Sequence, residues 1–251
     1  MKIMNKLILF SLLFIFLLGC IHNNSYEVVS SIRPIYLIAR EFTNNTTYVI
    51  PTNVNPHLYE PKPSSFELIN NARIYVEVGN HFEDWDNKKG NITMSDYTNS
   101  TNPHIWLNPD VVKQTAKKLG NLLNKQNQYT IFEKKLNEVD TRIKRESKNK
   151  TIIVLSYVPF LHEFTSYFNF TEIDITQNTE PSLNRIEQIK AYIKEYNIKC
   201  IFVPSQINGD VVRNIAKETN ITVVEIDPMA SNYTDYPSFM LDIWRSIKEC
   251  Q

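Results

Sequence analysis

Apolar and polar positions alternate along this chain in two rhythms. Short apolar runs at 26–30, 48–50 and 74–78 read as strands. Between them, 34–43 and a stretch from Ser64 to about Asn71 repeat at helical spacing. Pro34 sits at a first-turn position, and Ser64 with Glu67 three residues on has the form of a capping box. Asn108-Pro109-Asp110 opens a further helix carrying Val111, Val112, Leu119, Leu122 and Leu123. A second helix covers 129–148, with Ile131, Phe132, Leu136, Val139 and Ile143 as its apolar face. The strand–helix rhythm then restarts: strands at 151–155, 171–174, 200–203 and 221–226, helices at 160–168, 184–196, 210–219 and 237–249. Alternation of this kind predicts parallel sheets covered by helices. The expected architecture is α/β: an N-terminal lobe at 26–128, a connecting backbone helix at 129–148, and a C-terminal lobe at 149–251.

The first 25 residues fall outside that rhythm. Lys2 and Lys6 precede an apolar run at 7–18, which is too short to span a bilayer comfortably and suits a signal-peptide core. Leu17-Leu18-Gly19-Cys20 then resembles a lipobox. Residues 1–19 are expected to be a signal peptide, Cys20 to be lipidated, and 20–25 to form a tether on the outer face of a membrane. The mature chain would keep 251 − 19 = 232 residues. An uncleaved anchor or a plain secretory signal is the alternative. Nine Asn-x-Ser/Thr sequons, at Asn23, Asn44, Asn45, Asn91, Asn99, Asn149, Asn169, Asn220 and Asn232, agree with a surface location without requiring sugar.

Composition narrows the chemistry. The 27 basic and 27 acidic residues balance, so nothing suggests a nucleic-acid partner. Only five glycines are present, and no phosphate-cradling loop appears among them. Cys200 and Cys250 could pair in an oxidising compartment, and the sequence leaves that open.

Candidate chemistry rests on histidine. His57 and His104 each follow a proline in a loop at the edge of an α/β unit, where ligands of open sheets collect. The preceding proline fixes the local backbone and would help aim an imidazole. Asp227, at the end of the run 221–226 and before Pro228, is placed to face the first lobe, although Asp-Pro is also a common turn opening. His22 lies in the tether, and His81 in a loop at Gly79-Asn-His-Phe.

Four segments carry a resemblance: Asn55-Pro-His57-Leu-Tyr-Glu-Pro-Lys-Pro-Ser64, Pro103-His104-Ile-Trp-Leu-Asn-Pro109, Glu180-Pro-Ser182 and Glu225-Ile-Asp-Pro228. Together they resemble the signature segments of the zinc/manganese ABC-transporter solute-binding proteins. That resemblance implies two lobes on one rigid helix with a transition-metal ion held in the cleft. It implies His57 and His104 as first-lobe ligands, Asp227 as a second-lobe carboxylate ligand, an ABC permease as partner, and no catalytic residue. A monomer is expected. In that family a His or Glu follows the first strand of the second lobe, and here Tyr157 takes the place, with His162 five residues later. Tyr157 and His162 both stay open as the remaining donor. Pro204 also replaces a glutamate common in the family, and the family's His-rich loop is absent. These departures leave the ion open between a zinc-like set completed by His162 and a harder ion such as iron on Tyr157; zinc is the first expectation, with manganese or iron as alternatives. A surface adhesin with a vestigial metal site, or a binder of a metal chelate or haem, are the rival readings.

Overall fold

The structure is a computed structural model that describes residues 25–79, 82–83, 90–177 and 180–251. Cys20, His22 and His81 lie outside the described residues, as does the expected signal peptide.

The first sheet contains β1 (Val28–Ser30), β2 (Thr46–Tyr48), β3 (Ile74–Glu77) and β4 (Ile92–Thr93) in the order β2-β1-β3-β4. The second contains β5 (Ile153–Ser156), β6 (Thr171–Asp174), β7 (Cys200–Pro204) and β8 (Thr222–Ile226) in the order β6-β5-β7-β8. Every pairing is parallel. The order is the same in both lobes and reverses between β1 and β3, and again between β5 and β7. The carboxyl ends of the strands at such a reversal open a crevice between loops leading away in opposite directions. The expected α/β fold with two parallel-sheet lobes is what the chain adopts.

The central strands β1, β3 and β7 are buried at every position, as parallel strands covered on both faces must be. Their covering helices in the first lobe are α1 (Arg33–Ala39), α2 (Pro63–Asn70) and α3 (Pro109–Leu122). In the second they are α5 (His162–Tyr167), α6 (Leu183–Glu195) and α7 (Asp210–Thr219). Between the sheets runs α4 (Gln126–Ser147), whose 22 residues span about 33 Å. It buries Phe132, Leu136 and Ile143 along one face, packing on α3 and on the final helix α8 (Tyr236–Glu249). Ile131, which the apolar spacing places on that face, is 57% exposed: Phe132 takes the buried position, and two neighbours about 100° apart cannot share one narrow stripe.

Two local expectations fail for identifiable reasons. Helix α2 starts at Pro63, with Lys62 as an N-cap that makes no side-chain bond, so the Ser64–Glu67 capping box does not form. Proline at the first turn needs no N–H partner and sets the start two residues early. Helix α5 starts at His162 rather than Phe160, whose ring is fully buried and lies 6.4 Å from His104. The two-residue β4 has too little sequence to carry a period and went unseen.

The largest hydrophobic cluster spans both lobes, beside a smaller cluster within each. It runs from Val28, Ile32 and Trp106 on the first side to Phe160, Phe164, Met229 and Trp244 on the second. Polar ties cross the same boundary. Trp106 Nε1 donates to the Pro228 carbonyl at 3.0 Å, and the Tyr236 hydroxyl donates to the Trp106 carbonyl. Arg33 donates from Nε to the Ala230 carbonyl at 3.0 Å and from a terminal nitrogen to the Tyr233 carbonyl at 2.8 Å. The buried Glu163 accepts from Asn108 Nδ2 at 3.2 Å and from the Ser100 hydroxyl.

A disulfide joins Cys200, the first residue of β7, to Cys250 at the end of α8, which settles a pairing that the sequence left open. The chain also uses asparagine where glycine would be usual. Asn124, Asn149, Asn169, Asn197 and Asn220, which follow α3, α4, α5, α6 and α7, all have positive φ. Asparagine tolerates the left-handed region better than other non-glycine residues and ends helices there. Gly79 is the case that needs glycine: its φ is +83°, and a Cβ would collide with Ser95 and Thr93.

Candidate metal centre

Loops from the carboxyl ends of both sheets form one cleft of about 550 Å³. The first lobe contributes Asn55 to His57 and Ser100 to His104 with Trp106. The second contributes Val158, Pro159, His162, Pro204, Gln206, Ile207 and Pro228.

The two Asn-Pro-His segments are built alike. His57 N–H donates to Asn55 Oδ1 at 3.1 Å, and His104 N–H donates to Asn102 Oδ1 at 2.9 Å. Each asparagine thus closes a small ring over its proline and fixes the histidine backbone. The imidazoles meet with centroids 5.3 Å apart and planes at 65°. Aromatic rings hold them from outside: Phe82 lies 5.2 Å from His57, and Trp106 lies 5.1 Å from His104.

Protonation in the pair is set by the surroundings. Burial pushes the His57 imidazole below its usual value. Burial, with the neighbouring His57 second, pushes His104 down to about 3. Both rings are therefore neutral at ordinary pH, which is the form that binds metal. The tautomer of His104 is fixed as well. Its Nδ1 lies 3.1 Å from Asn102 Oδ1, an oxygen that can only accept, so Nδ1 carries the proton and Nε2 the lone pair. Asn102 is held in that orientation because its Nδ2 donates to the Pro159 carbonyl of the other lobe at 2.8 Å. A second partner of this kind raises the basicity of a metal-binding imidazole.

The other expected ligands are placed differently. His162 lines the cleft at the first position of α5, with Nδ1 3.7 Å from Glu172 and Nε2 3.4 Å from the Ser166 hydroxyl. Glu172 is itself almost fully buried, and that burial pushes its carboxyl up to about 7. Tyr157 is packed in the second lobe's own apolar cluster, and its hydroxyl lies 3.4 Å and 3.5 Å from the two oxygens of Glu180. Burial and that carboxylate both raise its pKa, so the phenol keeps its proton and is a poor donor to a cation. Asp227 carries a full set of partners. Its Oδ1 accepts from Met229 N–H at 2.9 Å and from Gln206 Nε2 at 2.6 Å, and its Oδ2 accepts from Ser231 N–H at 2.6 Å and from the Ser231 hydroxyl. Among the described residues, no three His, Cys, Asp or Glu side chains stand together closely enough to hold an ion. The structure brings His57 and His104 together and leaves Asp227, Tyr157 and His162 outside that pair.

Asn102 and Gln206 are the site residues that the sequence reading passed over. For Asn102 a signal was present: both Pro-His pairs are preceded by asparagine. Gln206 has no comparable signature.

Residues 28–250 match the family described as zinc-uptake complex component A, periplasmic. The high-affinity zinc uptake system protein ZnuA of Yersinia pestis is 22% identical in an alignment of 292 positions covering 90% of this chain and 91% of that protein. A crystal structure of ZnuA superposes with a TM-score of 0.77 at 22% identity, over 90% of this chain and 99% of the other. The laminin-binding protein Lmb of Streptococcus agalactiae, described as bifunctional with adhesin and metal transporting activity, gives 0.75 at 19% identity, over 88% and 98%.

Proposed function

This chain belongs to the periplasmic zinc-uptake complex component A family, and from that premise we propose that it captures one zinc ion in the interlobe cleft and hands it to an ABC-type importer. Its work is capture and transfer, with no bond made or broken in a substrate. Lipid on Cys20 would hold it at the outer face of the membrane, after removal of residues 1–19, with 26–128 and 149–251 acting as lobes on the connecting helix.

The His57–His104 distance is the observation that carries this reading. Zinc binds imidazole nitrogen at about 2.0–2.1 Å, which puts a ring centroid about 3.2 Å from the ion. Two such rings at a tetrahedral angle have centroids about 5.2 Å apart, and at a right angle about 4.5 Å. The observed 5.3 Å fits the tetrahedral case. The choice of zinc over manganese or iron is supported by the family match, whose description is of zinc uptake. His162 is the second-lobe nitrogen already in the cleft wall, and a change of its side-chain rotamer is what ligation would require. Tyr157 and Asp227 would first have to surrender their present hydrogen bonds.

Zinc, manganese and iron should be titrated into residues 21–251, with His57→Ala and His104→Ala alongside. One equivalent of zinc should bind and raise the melting temperature of the unsubstituted protein, since a ligand specific to the folded state stabilises it. Both variants should lose that effect. Absence of any metal-dependent shift would overturn the proposal and favour a surface-interaction role on the same fold, a reading to which the engaged state of Asp227 and Tyr157 already leans.

A further inference from the structure

We propose that Gln206 supplies an oxygen ligand from the second lobe, through Oε1, and that Asp227 stands behind it as the group that orients and polarises the amide. The inference rests on the metal-capture reading above and adds to it a donor that the sequence motifs do not mark.

Gln206 follows β7 at the topological reversal of the second sheet and lines the same cleft as His57 and His104. Its Nε2 makes two hydrogen bonds. One goes to Asp227 Oδ1 at 2.6 Å, the other to the Thr52 carbonyl of the first lobe at 3.1 Å. Both partners only accept, so the amide orientation is forced: nitrogen toward Asp227 and Thr52, oxygen on the other side. That oxygen is buried and receives no hydrogen bond from any described residue. A buried carbonyl oxygen without a donor is unfavourable unless something positive comes to meet it.

The arrangement repeats the logic of His104. There, Asn102 fixes one end of the ring by a hydrogen bond and leaves the lone pair on Nε2 for the ion. Here, a carboxylate draws on the N–H end of the amide and leaves electron density on Oε1. In both cases an outer partner prepares an inner donor, and in both cases a further bond crosses to the opposite lobe. Asp227 is suited to the outer role because its remaining capacity is spent on Met229 and Ser231. His57 and His104 with Gln206 give two nitrogens and one oxygen, a set that suits a borderline ion and leaves room for His162 or water as the fourth donor.

The test is a competition titration of residues 21–251 with zinc, together with the visible absorption spectrum of the cobalt(II) form. The variants are Gln206→Met, which keeps length and loses the amide, and Gln206→Asn, which keeps an amide and withdraws its oxygen by one methylene. Metal-free melting curves establish that each is folded. Both variants are expected to bind zinc on the order of 100-fold more weakly than the unsubstituted chain, the lower end of one ligand's share in a four-ligand site. Their cobalt bands should shift, which a purely structural role would not cause. Asp227→Asn, which keeps an acceptor for Gln206, should weaken binding less than either. Unchanged affinity and an unchanged cobalt spectrum in folded Gln206→Met would overturn the proposal, as would a larger loss in Asp227→Asn than in Gln206→Met. Failure of the unsubstituted chain to bind either metal would overturn the metal-capture reading itself, and this inference with it.

Discussion

The two lobes have the same strand order and answer the cleft in opposite ways. In the first, two loops built on the same Asn-Pro-His plan present neutral imidazoles side by side, with centroids 5.3 Å apart. In the second, each group expected to bind is occupied: Asp227 by its own loop and Gln206, Tyr157 by Glu180, His162 beside Glu172. Topology fixes where loops emerge, and loop sequence decides what they offer. The first-lobe pair is organised in advance, whereas in the second lobe Asp227, Tyr157 and His162 would have to exchange internal partners to bind an ion, and Gln206 Oε1 has none among the described residues to give up. The shared core and the bonds from Arg33, Trp106 and Tyr236 make that exchange a matter of side chains more than of lobe movement.

This contrast can be broken at several places. The largest effect is expected where the second lobe is stapled. Its disulfide closes a loop of 50 residues, for which chain entropy predicts about 4 kcal/mol. Replacing Cys200 and Cys250 by serine should lower the melting temperature of the metal-free protein by roughly 8–16 °C, measured by calorimetry. A shift of a degree or two would mean that the second lobe does not depend on it.

Next comes the pre-organised pair. Zinc sites of four protein ligands hold about 10–16 kcal/mol, so one ligand is worth roughly 100–1000-fold in affinity. His104→Ala should lose that much in a chelator competition, and His57→Ala a similar amount. An equal loss in Tyr157→Phe would contradict the division between lobes drawn here.

A smaller loss, on the order of 10–100-fold, is expected for Asn102→Ala, which removes the acceptor that sets the His104 tautomer. Asn55 meets His57 through the backbone, so Asn55→Ala should cost less in the same assay.

The mildest effect concerns protons. Folded His104 stays neutral down to about pH 3, while the unfolded chain protonates near pH 6.5. Between those values the unfolded state binds more protons, so this ring lowers stability as pH falls from 6.5 and contributes nothing above it. Well below pH 6.5 the slope should approach the single-proton limit of about 1.4 kcal/mol per pH unit, because there the unfolded ring is protonated and the folded one is not. Metal-free His104→Gln, melted between pH 7 and 4.5, should decline less steeply than the unsubstituted protein.

Much of this was legible in the sequence. Strands such as 74–78 and 200–203 are continuous apolar runs, and helices such as 210–219 carry a clear apolar stripe, so periodicity suffices for both lobes. The paired Pro-His segments marked the two imidazoles that the fold brings together. What stayed hidden depends on atoms rather than residue types. Asp227 was read from its place at a strand end, yet its oxygens are committed to Met229, Ser231 and Gln206, and no spacing rule reports that. Ile131 and Phe132 have equal claims on the buried face of α4 until packing chooses. Gln206 became visible only once β7 and β8 placed it beside Asp227.

Five consecutive helices hand over to the next segment through a left-handed asparagine. The effect of that habit falls mainly on the denatured chain. Asparagine has fewer open-chain conformations to lose than glycine, so each such residue narrows the denatured ensemble, while its side chain makes the left-handed turn tolerable in the native one. Exchanging all five for glycine would relax the native turns and enlarge the ensemble they fold from. The balance at each position is a few tenths of a kcal/mol to about 1 kcal/mol, of either sign. The chain thus keeps part of its folding free energy where no contact map displays it, in conformations that the unfolded polypeptide is denied.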